Sequence, residues 1–511
     1  MSDARSSARS LGTEISARAL ITGLMVSVTT GLAQTLSFAT TFVFAAFLMP
    51  SALGVLRLVQ IGATYANFGH LGSLSAMGRE VPIARGAAEP AQVLRVRDVA
   101  WTTGLLSVAA LSALVAVGIS LVPFVRVEGL DSWHLTLAVL LVLVWYCWEF
   151  QKNWLSASGR FRLRGWVELG FGGALVACAF LFVPAWGLSG AIVTFIVARL
   201  IGIAGAAVVA GWPFHPRFER REASRLIRVG LPITGNSFVR YVFTTVDSLV
   251  AAAFLGTHEL GYYVIASIGF SALEVLPSSL AVILGTRMAE TRGRYGLEAA
   301  KRHIAVQVER PTVLLCEATQ IMGTMLFFVG PWLVSTWLPR YAPGIQSFQV
   351  LATTHCFVTL RLLSGAALNV IDRQATFLRL QILGVLVSLA ASSAVLAAGY
   401  GLVGLAVASS SVSAATGFAL MFFSLRHIYG DSTPAARYCL RLGTTLLAGL
   451  LVMIATTLAV GLDGLQTGLV SAAFCAVVNI TVFAVVFRGE SLLSLGALLW
   501  ARQGPPAAVE P

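Results

Sequence analysis

The sequence predicts an all-α integral membrane protein with about 14 transmembrane helices. Two parallel six-helix bundles would surround a central cavity, and two further helices would follow at the C-terminal end. Three observations predict this class: the composition, the spacing of apolar segments, and the distribution of basic residues. The chain has 511 residues, of which 57% are hydrophobic and 11% charged, whereas a soluble globular chain carries about 25% charged residues. One soluble core cannot bury so much apolar surface, so lipid must serve as the solvent.

Apolar segments follow one another along almost the whole chain. Each approaches or exceeds the roughly 20 residues that a helix needs to cross the hydrocarbon core. The second, eighth and tenth segments are the least hydrophobic, which suits helices that line a polar interior. The predicted spans are 19–49, 51–77, 98–124, 133–158, 163–184, 187–213, 229–255, 258–287, 309–338, 344–368, 377–399, 401–424, 439–461 and 466–487.

The basic residues lie almost entirely on one predicted side of the membrane. With a cytoplasmic N-terminus and alternating spans, 29 of the 35 Lys and Arg residues fall in cytoplasmic segments, and only Arg126 and Arg340 fall on the other side. This asymmetry follows the positive-inside rule. It predicts a multi-pass protein of the cytoplasmic (inner) membrane with both termini in the cytoplasm. The net charge of +12 then indicates basic loops near anionic lipid headgroups, not a nucleic-acid partner.

Enzyme and cofactor signatures are missing from the sequence. No phosphate-binding G-x-x-x-x-G-K-[ST] motif, zinc-type H-E-x-x-H or nucleophile-type G-x-S-x-G occurs, and the six cysteines form no C-x-x-C pair. All predicted outer loops are short, which weighs against membrane-embedded glycosyltransferases, polymerases and ligases. We therefore expect a protein that is not an enzyme and that holds no cofactor or metal.

An internal repeat divides the chain. Residues 45–62 align without gaps on residues 252–269, with eight identities in eighteen positions, and WGLSG at 186–190 matches YGLVG at 400–404. Six helices is an even number, so both copies keep one orientation. Parallel repeats of this kind are a known transporter plan, with the substrate site between the halves.

The repeat and the charge pattern together predict the domain organisation. It comprises an N-terminal six-helix bundle, a basic cytoplasmic linker, a C-terminal six-helix bundle, two additional transmembrane helices and a cytoplasmic tail. Their predicted bounds are 1–213, 214–228, 229–424, 439–487 and 488–511.

Three stretches resemble one transporter family. LPITGNSFVRYVFTTVDSLVAAAFLGTHELGYYVIA, residues 231–266, resembles the seventh and eighth helices of the multidrug/oligosaccharidyl-lipid/polysaccharide (MOP) flippase superfamily. The shared features are a proline near the start of the helix, a late Asp, then Leu-Gly, then Leu-Gly-Tyr. WLPRYAPGIQSFQVLATTH (337–355) resembles that family's turn into helix ten, and YGLVGLAVA (400–408) its start of helix twelve. The resemblance covers roughly residues 15–430.

The resemblance is closest to the polysaccharide-export branch. Members of that branch move isoprenoid-diphosphate-linked oligosaccharides from the inner to the outer leaflet for lipopolysaccharide or exopolysaccharide synthesis. It implies a flippase that works by alternating access, with a lipid-linked glycan, membrane lipids, a polysaccharide polymerase and glycan-assembly proteins as partners. The last two spans exceed the family's twelve-helix core, although some branches, including one that resembles the lipid II flippase, also have fourteen.

Two other functions stay open at this point. One is a cation-coupled multidrug or small-molecule exporter of the same fold, which would show an acidic cavity. The other is a non-transporting membrane scaffold of a glycan-assembly complex, with the last two helices used for docking.

Four arginines inside predicted spans are the candidate substrate ligands: Arg57, Arg199, Arg240 and Arg361. A charge in hydrocarbon is costly and usually faces a partner or a watery cavity. The planar guanidinium donates bidentately and keeps its proton, which suits a diphosphate. The alternative is that Arg240 pairs with Glu274, and Arg199 with Glu149, to neutralise charge between helices.

The acidic residues of the spans are candidates for a gate or for ion coupling. Asp247 would seal an outer gate by pairing with Arg57, or would bind H⁺ or Na⁺; Glu274 and Glu149 are the other candidates. Pro277 would kink its helix and serve as a hinge, although packing alone would explain it. His70 is expected to be a helix-packing group.

Overall fold

The computed structural model describes residue 29 and residues 31–121, 130–460 and 464–487. Within these ranges it confirms the all-α prediction. The predicted cytoplasmic tail, 488–511, and Arg126 of the predicted outer side lie outside the described residues.

The helices are numbered in chain order. Two short 3₁₀ turns, Phe68–His70 and Pro339–Gly344, interrupt the series. The helices are α1 (Gly31–Phe47), α2 (Pro50–Asn67), α3 (Ser73–Gly86), α4 (Pro90–Leu121), α5 (Ser132–Ala157), α6 (Phe161–Ala210), α7 (Arg220–Tyr295), α8 (Leu297–Trp337), α9 (Ile345–Thr353), α10 (His355–Val370), α11 (Gln374–Ala397), α12 (Gly401–Tyr429), α13 (Ser432–Val460) and α14 (Leu465–Val486).

Helices α6 and α7 are each two helices joined at a glycine. They contain 50 and 76 residues, which is far more than the roughly 20 that cross a membrane. The breaks fall at Gly187, with φ +52°, and at Gly256, with φ +84°. Glycine takes such angles without the penalty that a Cβ would bring. Both breaks lie where the sequence predicts a turn between two spans.

The count of crossings agrees with the sequence. Among the described residues, nine helices are long and apolar enough to span, and the pair Pro339–Thr353 and Cys356–Val370, bent by 44°, makes a tenth candidate. Counting both halves of α6 and α7 raises the number to twelve, and the two remaining predicted spans fall on α1, a shorter apolar helix, and on α2 with the start of α3.

The described chain groups into two compact units. Unit 1 runs up to Tyr241 and unit 2 starts at Val242. The boundary therefore lies inside the first half of α7, whereas the sequence predicts the linker at 214–228. Contacts made by that linker and by the start of α7 explain why both belong to unit 1.

In unit 1, α3 and α7 come into backbone contact at two glycines. A Cβ added to Gly230 would meet the carbonyl oxygen of Gly72 at 1.9 Å, so neither position has room for a side chain. Gly72 also has φ +90°, and two residues of the same helices, Ser75 and Thr234, share a hydrogen bond of 2.8 Å. The start of α7 is therefore fixed against α3.

Ion pairs hold the linker region to the same unit. Glu219 accepts hydrogen bonds from Arg95 of α4 and from Arg217, and Arg225 bridges Glu222 and Glu80 of α3 at 2.7 and 2.6 Å. The Arg95 guanidinium holds the pKa of the Glu219 carboxyl below its usual range. This contribution to stability is present above the carboxyl's ordinary pKa and is lost as the pH falls through the lowered value.

The two additional helices pack onto unit 2. Phe328 of α8, Met453 of α13 and Cys475 of α14 are buried in one cluster. A Cβ added to Gly468 of α14 would meet the carbonyl oxygen of Phe328 at 2.7 Å. Helices α13 and α14 therefore form part of the second unit's core.

Candidate functional site

Unit 2 contains a small polar cavity that two predicted site residues line. Asp247 of α7 and Arg361 of α10 line the same space of about 40 Å³. The rest of its wall is rich in hydroxyl groups, from Thr244, Thr354, Ser409, Ser410 and Ser413. Sequence analysis identified no acidic neighbour for Arg361, and the structure places Asp247 on the same cavity wall.

The Asp247 carboxylate is surrounded by hydrogen-bond donors. The Tyr263 hydroxyl donates to Oδ2 at 2.6 Å, the Ser409 hydroxyl donates to the same atom at 3.3 Å, and the Ser248 backbone N–H donates to Oδ1 at 2.8 Å. An ionised carboxylate only accepts, and short bonds to it are among the stronger hydrogen bonds in proteins. Helix α12 and both halves of α7 thus hold this carboxylate in place.

Arg361 is buried beside an aromatic ring. Its side chain is only 4% exposed, and its guanidinium carbon lies 4.5 Å from the centre of the Phe243 ring. A cation over a ring face is attracted by the ring quadrupole, by about 2 kcal/mol when the pair is desolvated. The aromatic face and the nearby carboxylate both favour the charged guanidinium at this depth.

A larger apolar cavity adjoins the polar one in unit 2. It has a volume of about 520 Å³ and lies among α8, α9, α10, α12 and α13. Thr354 and Ser410 line both cavities. Aromatic and aliphatic side chains dominate the larger wall, among them Phe327, Phe357, Phe418, Leu447, Leu450 and Met453.

Unit 1 has a polar cavity of its own, of about 280 Å³. Glu149 of α5 lines it and pairs with Lys152 at 2.8 Å. Arg199 instead places its guanidinium 4.0 Å from the centre of the Trp145 ring and donates to the Phe195 carbonyl at 2.9 Å. Within the described part of the chain, no ion pair of 4 Å or less joins Arg199 to Glu149, but the two charges still attract each other.

The other predicted site residues lie apart from these cavities. Arg57 is half-buried in α2, with its Nε atom buried and without a hydrogen-bond partner among the described residues. Arg240 is exposed on the part of α7 that belongs to unit 1. Glu274 is half-buried and Pro277 buried in the second half of α7, which belongs to unit 2.

Sequence analysis did not identify the partners of Asp247 and Glu149, although the sequence contains signals for both. Tyr263 lies seven residues after the break at Gly256 and Asp247 nine before it, so a comparison of depth within this hairpin would have paired them. Lys152 lies three residues after Glu149 on α5, a spacing that brings side chains together on a helix.

Comparisons with known proteins agree with this architecture. A family model described as polysaccharide biosynthesis protein matches residues 43–283, slightly under half of the chain. A search of curated protein sequences finds no match.

Solved structures of transporters share the fold. The lipid II flippase MurJ in an inward closed conformation superposes with a TM-score of 0.67 at 13% identity, over 91% of this chain and 98% of MurJ. An inward-facing MATE family multidrug resistance transporter of the MOP superfamily gives 0.59 at 13% identity, over 80% and 98%. A MOP superfamily transporter from Pyrococcus furiosus gives 0.54 at 14% identity, over 80% and 95%.

The identities are low, so these superpositions bear on the fold alone, and they cover 95–98% of the length of each of the three relatives. The resemblance seen in the sequence is confirmed: this chain is a multi-pass membrane protein with the fold of the multidrug/oligosaccharidyl-lipid/polysaccharide flippase superfamily.

Proposed function

We propose that this protein moves an isoprenoid-diphosphate-linked oligosaccharide from the inner to the outer leaflet of the cytoplasmic membrane by alternating access. The glycan would serve the synthesis of a surface or exported polysaccharide. The match to a polysaccharide biosynthesis model and the fold shared with a lipid II flippase both support this substrate class.

The observation that carries the proposal is the adjacency of the two cavities of unit 2. One is polar and holds Arg361 and Asp247, the other is large and apolar, and they share Thr354 and Ser410. An amphipathic ligand needs this combination, because its charged head and its hydrocarbon tail prefer opposite surroundings. An isoprenoid diphosphate is such a ligand.

Arg361 is the residue that we propose to bind the diphosphate. Its guanidinium can donate two parallel hydrogen bonds to a phosphate and keeps its charge when buried. Arg240 and Arg57 are proposed as further contacts along the path of the head group. Arg199 is stacked on Trp145, so we propose a less direct role for it.

Asp247 is proposed to balance Arg361 while no substrate is bound. An arriving diphosphate would compete with the carboxylate for the guanidinium and so favour a change of state. The membrane potential adds to export, since moving each negative charge outward releases about 2.3 kcal/mol per 100 mV.

The test is a pair of substitutions at Arg361 in cells that make the glycan. Arg361→Ala should lower export about 10- to 100-fold, because a hydrogen bond to a charged group is worth about 1.5–3 kcal/mol and 1.4 kcal/mol is tenfold. Arg361→Lys should recover part of the export, since lysine keeps the positive charge but cannot donate two parallel hydrogen bonds to one phosphate. The readouts are surface polysaccharide and the leaflet in which the lipid-linked glycan accumulates, with protein levels checked.

Arg426→Ala is the matched control, since it removes an exposed arginine at the end of α12 and should leave export unchanged. Normal export in a deletion strain would refute the flippase function. Export that is lost on deletion and normal in Arg361→Ala would instead indicate a scaffold.

A specific observation also favours a second candidate, a cation-coupled exporter. Asp247 lies among the oxygens of Tyr263 and Ser409, which are ligand types that bind H⁺ or Na⁺. The Pyrococcus furiosus relative is described as having a binding pocket of reversed polarity that suggests a different function, so pocket charge varies within this fold. Resistance to cationic dyes that depends on Asp247, with glycan export intact, would support the exporter.

A further inference from the structure

The polar cavity of unit 1 has a wall chemistry unlike that of unit 2. The 3₁₀ turn Phe68–His70, the helices α2, α3 and α5, and the start of α7 line it. Its lining is mostly uncharged and includes hydroxyl, amide, imidazole and indole groups, from Thr64, Asn67, His70, Trp145, Asn153 and Thr234. Glu149 is the one acid among the lining residues, and its pairing with Lys152 neutralises it. A ligand for this cavity is therefore expected to be polar and uncharged.

Two buried groups on this wall have unused hydrogen-bonding capacity. Asn67 is 8% exposed, and its Nδ2 donates to the Ala63 carbonyl at 3.1 Å, while its Oδ1 has no partner within the described residues. His70 is also 8% exposed, and its Nδ1 accepts from the Gly72 backbone N–H at 3.0 Å.

The His70 bond sets the state of the ring. An acceptor at Nδ1 leaves the proton of a neutral imidazole on Nε2. The wall of the cavity thus contains an unsatisfied acceptor in Asn67 and a donor in His70. A buried acceptor without a partner is destabilising, so a ligand hydroxyl that donates to Asn67 would remove an existing penalty.

An aromatic ring with a fixed orientation completes the wall. Trp145 lines the cavity, and the Arg199 guanidinium stacks on it with 4.0 Å between the guanidinium carbon and the ring centre. This stacking restricts the rotation of the indole. An indole face against apolar C–H groups, flanked by donors and acceptors, suits a ligand with an apolar face and a polar rim.

We propose that this cavity binds one neutral sugar residue of the lipid-linked glycan and thereby sets which glycans are moved. The inference rests on the proposed function and assigns the glycan's recognition to unit 1. A volume of about 280 Å³ is at the lower end of small-molecule sites, which begin near 300 Å³. It is therefore a site for a single sugar ring, with Asn67 and His70 reading its hydroxyl groups.

The experiment uses the purified full chain in proteoliposomes. The probes are isoprenyl diphosphates that carry one glucose, one galactose, one N-acetylglucosamine or no sugar, and the rate of transfer between leaflets is measured for each. We expect the wild type to move one glycosylated probe at least about tenfold faster than the bare diphosphate, because one additional hydrogen bond accounts for about a tenfold difference.

Asn67→Leu should remove about tenfold of that preference and leave the rate for the bare diphosphate unchanged. Ser237→Trp places a large side chain in the cavity from α7 and should abolish the preference for the glycosylated probe. It tests the same site independently, so the test remains valid if Asn67→Leu folds poorly. Gln381→Leu is the matched control, because Gln381 is a buried amide of α11 that lines neither polar cavity. It should keep the wild-type preference.

Two results would overturn the inference and leave the flippase function standing. One is a wild type that moves all four probes at equal rates. The other is an Asn67→Leu variant that slows the glycosylated and bare probes alike. If the wild type moves none of the probes, the proposed function fails, and the sugar site with it.

Discussion

Asp247 shows how a carboxylate is retained inside a membrane-spanning helix. A charge at the bilayer centre costs a few kcal/mol or more, and this one is offset by the Tyr263 and Ser409 hydroxyls, the Ser248 backbone N–H and the presence of Arg361 on the same cavity. The donors come from α7 and α12. The carboxylate therefore ties the two halves of α7 to α12 within unit 2.

The Tyr263 hydroxyl is the donor whose removal is simplest to interpret. Tyr263→Phe keeps the ring, which is 1% exposed, and deletes a 2.6 Å hydrogen bond to Asp247. We expect the free energy of unfolding to fall by about 1.5–3 kcal/mol, the range for hydrogen bonds to charged groups. The measurement is thermal unfolding in detergent.

The neighbouring Tyr262 provides the control. Its hydroxyl bonds to His258 at 2.8 Å in an exposed position, so Tyr262→Phe should change stability little. Equal effects of the two substitutions, or a full effect of Tyr263→Phe in an Asp247→Asn background, would show that the carboxylate is not the important partner.

The sequence supports only part of this residue-level chemistry. Arg361 and Asp247 are recognisable as charges inside spans, and Tyr263 falls at a matching depth beyond Gly256. That Arg361 and Asp247 line one cavity depends on the tertiary arrangement of unit 2, which hydropathy does not encode. For Glu149 the sequence suggests Arg199 as a partner, whereas local helix geometry supplies Lys152.

At the scale of elements, backbone contact fixes the start of α7 to the rest of unit 1. Gly72 and Gly230 touch through their main chains, and the Ser75–Thr234 hydrogen bond reinforces the crossing. Small residues that let helices approach are typical of packing between membrane helices. This contact, with the ion pairs of Glu219 and Arg225, places the unit boundary after the predicted linker.

Gly230→Ala should therefore destabilise unit 1. The added Cβ would lie 1.9 Å from the Gly72 carbonyl oxygen, so α3 and α7 must separate, and overpacking of this kind costs about 1–3 kcal/mol. A lower melting temperature in detergent is the expected result.

Gly235→Ala is the matched control on the same helix, because a Cβ there meets nothing within 4 Å. It should be neutral or stabilising by up to about 1 kcal/mol, the helix-propensity difference between alanine and glycine. If both alanine variants melt like the wild type, the close crossing does not contribute to stability.

The elements themselves were largely predictable. The break of α7 at Gly256 falls between two predicted spans, and the break of α6 at Gly187 falls on the first residue of one. A polar or turn-forming stretch interrupts the hydrophobic run at each place. The position of the unit boundary was not predictable in the same way. It depends on tertiary contacts such as Gly72 with Gly230 and Glu219 with Arg95, which join positions far apart in the chain.

At the scale of the whole molecule, the basic residues predict one orientation in the membrane. Arg294 lies near the end of α7, in a predicted cytoplasmic segment, and Arg340 lies in the 3₁₀ turn before α9, on the predicted outer side; both are exposed. The excess of Lys and Arg on the cytoplasmic side predicts the orientation from the sequence alone. The direction of transport depends on that orientation, which can be measured directly.

Single cysteines at these two positions measure the orientation. The six native cysteines are all free thiols and are first replaced by alanine or serine. We expect Arg340→Cys to react with a membrane-impermeant maleimide in intact cells, and Arg294→Cys to react only after the membrane is permeabilised. The reverse pattern would invert the orientation and contradict the topology that the basic residues predict. Labelling of both sites from outside would mean an even number of crossings between them, whereas the fourteen-span prediction places the single span 309–338 there.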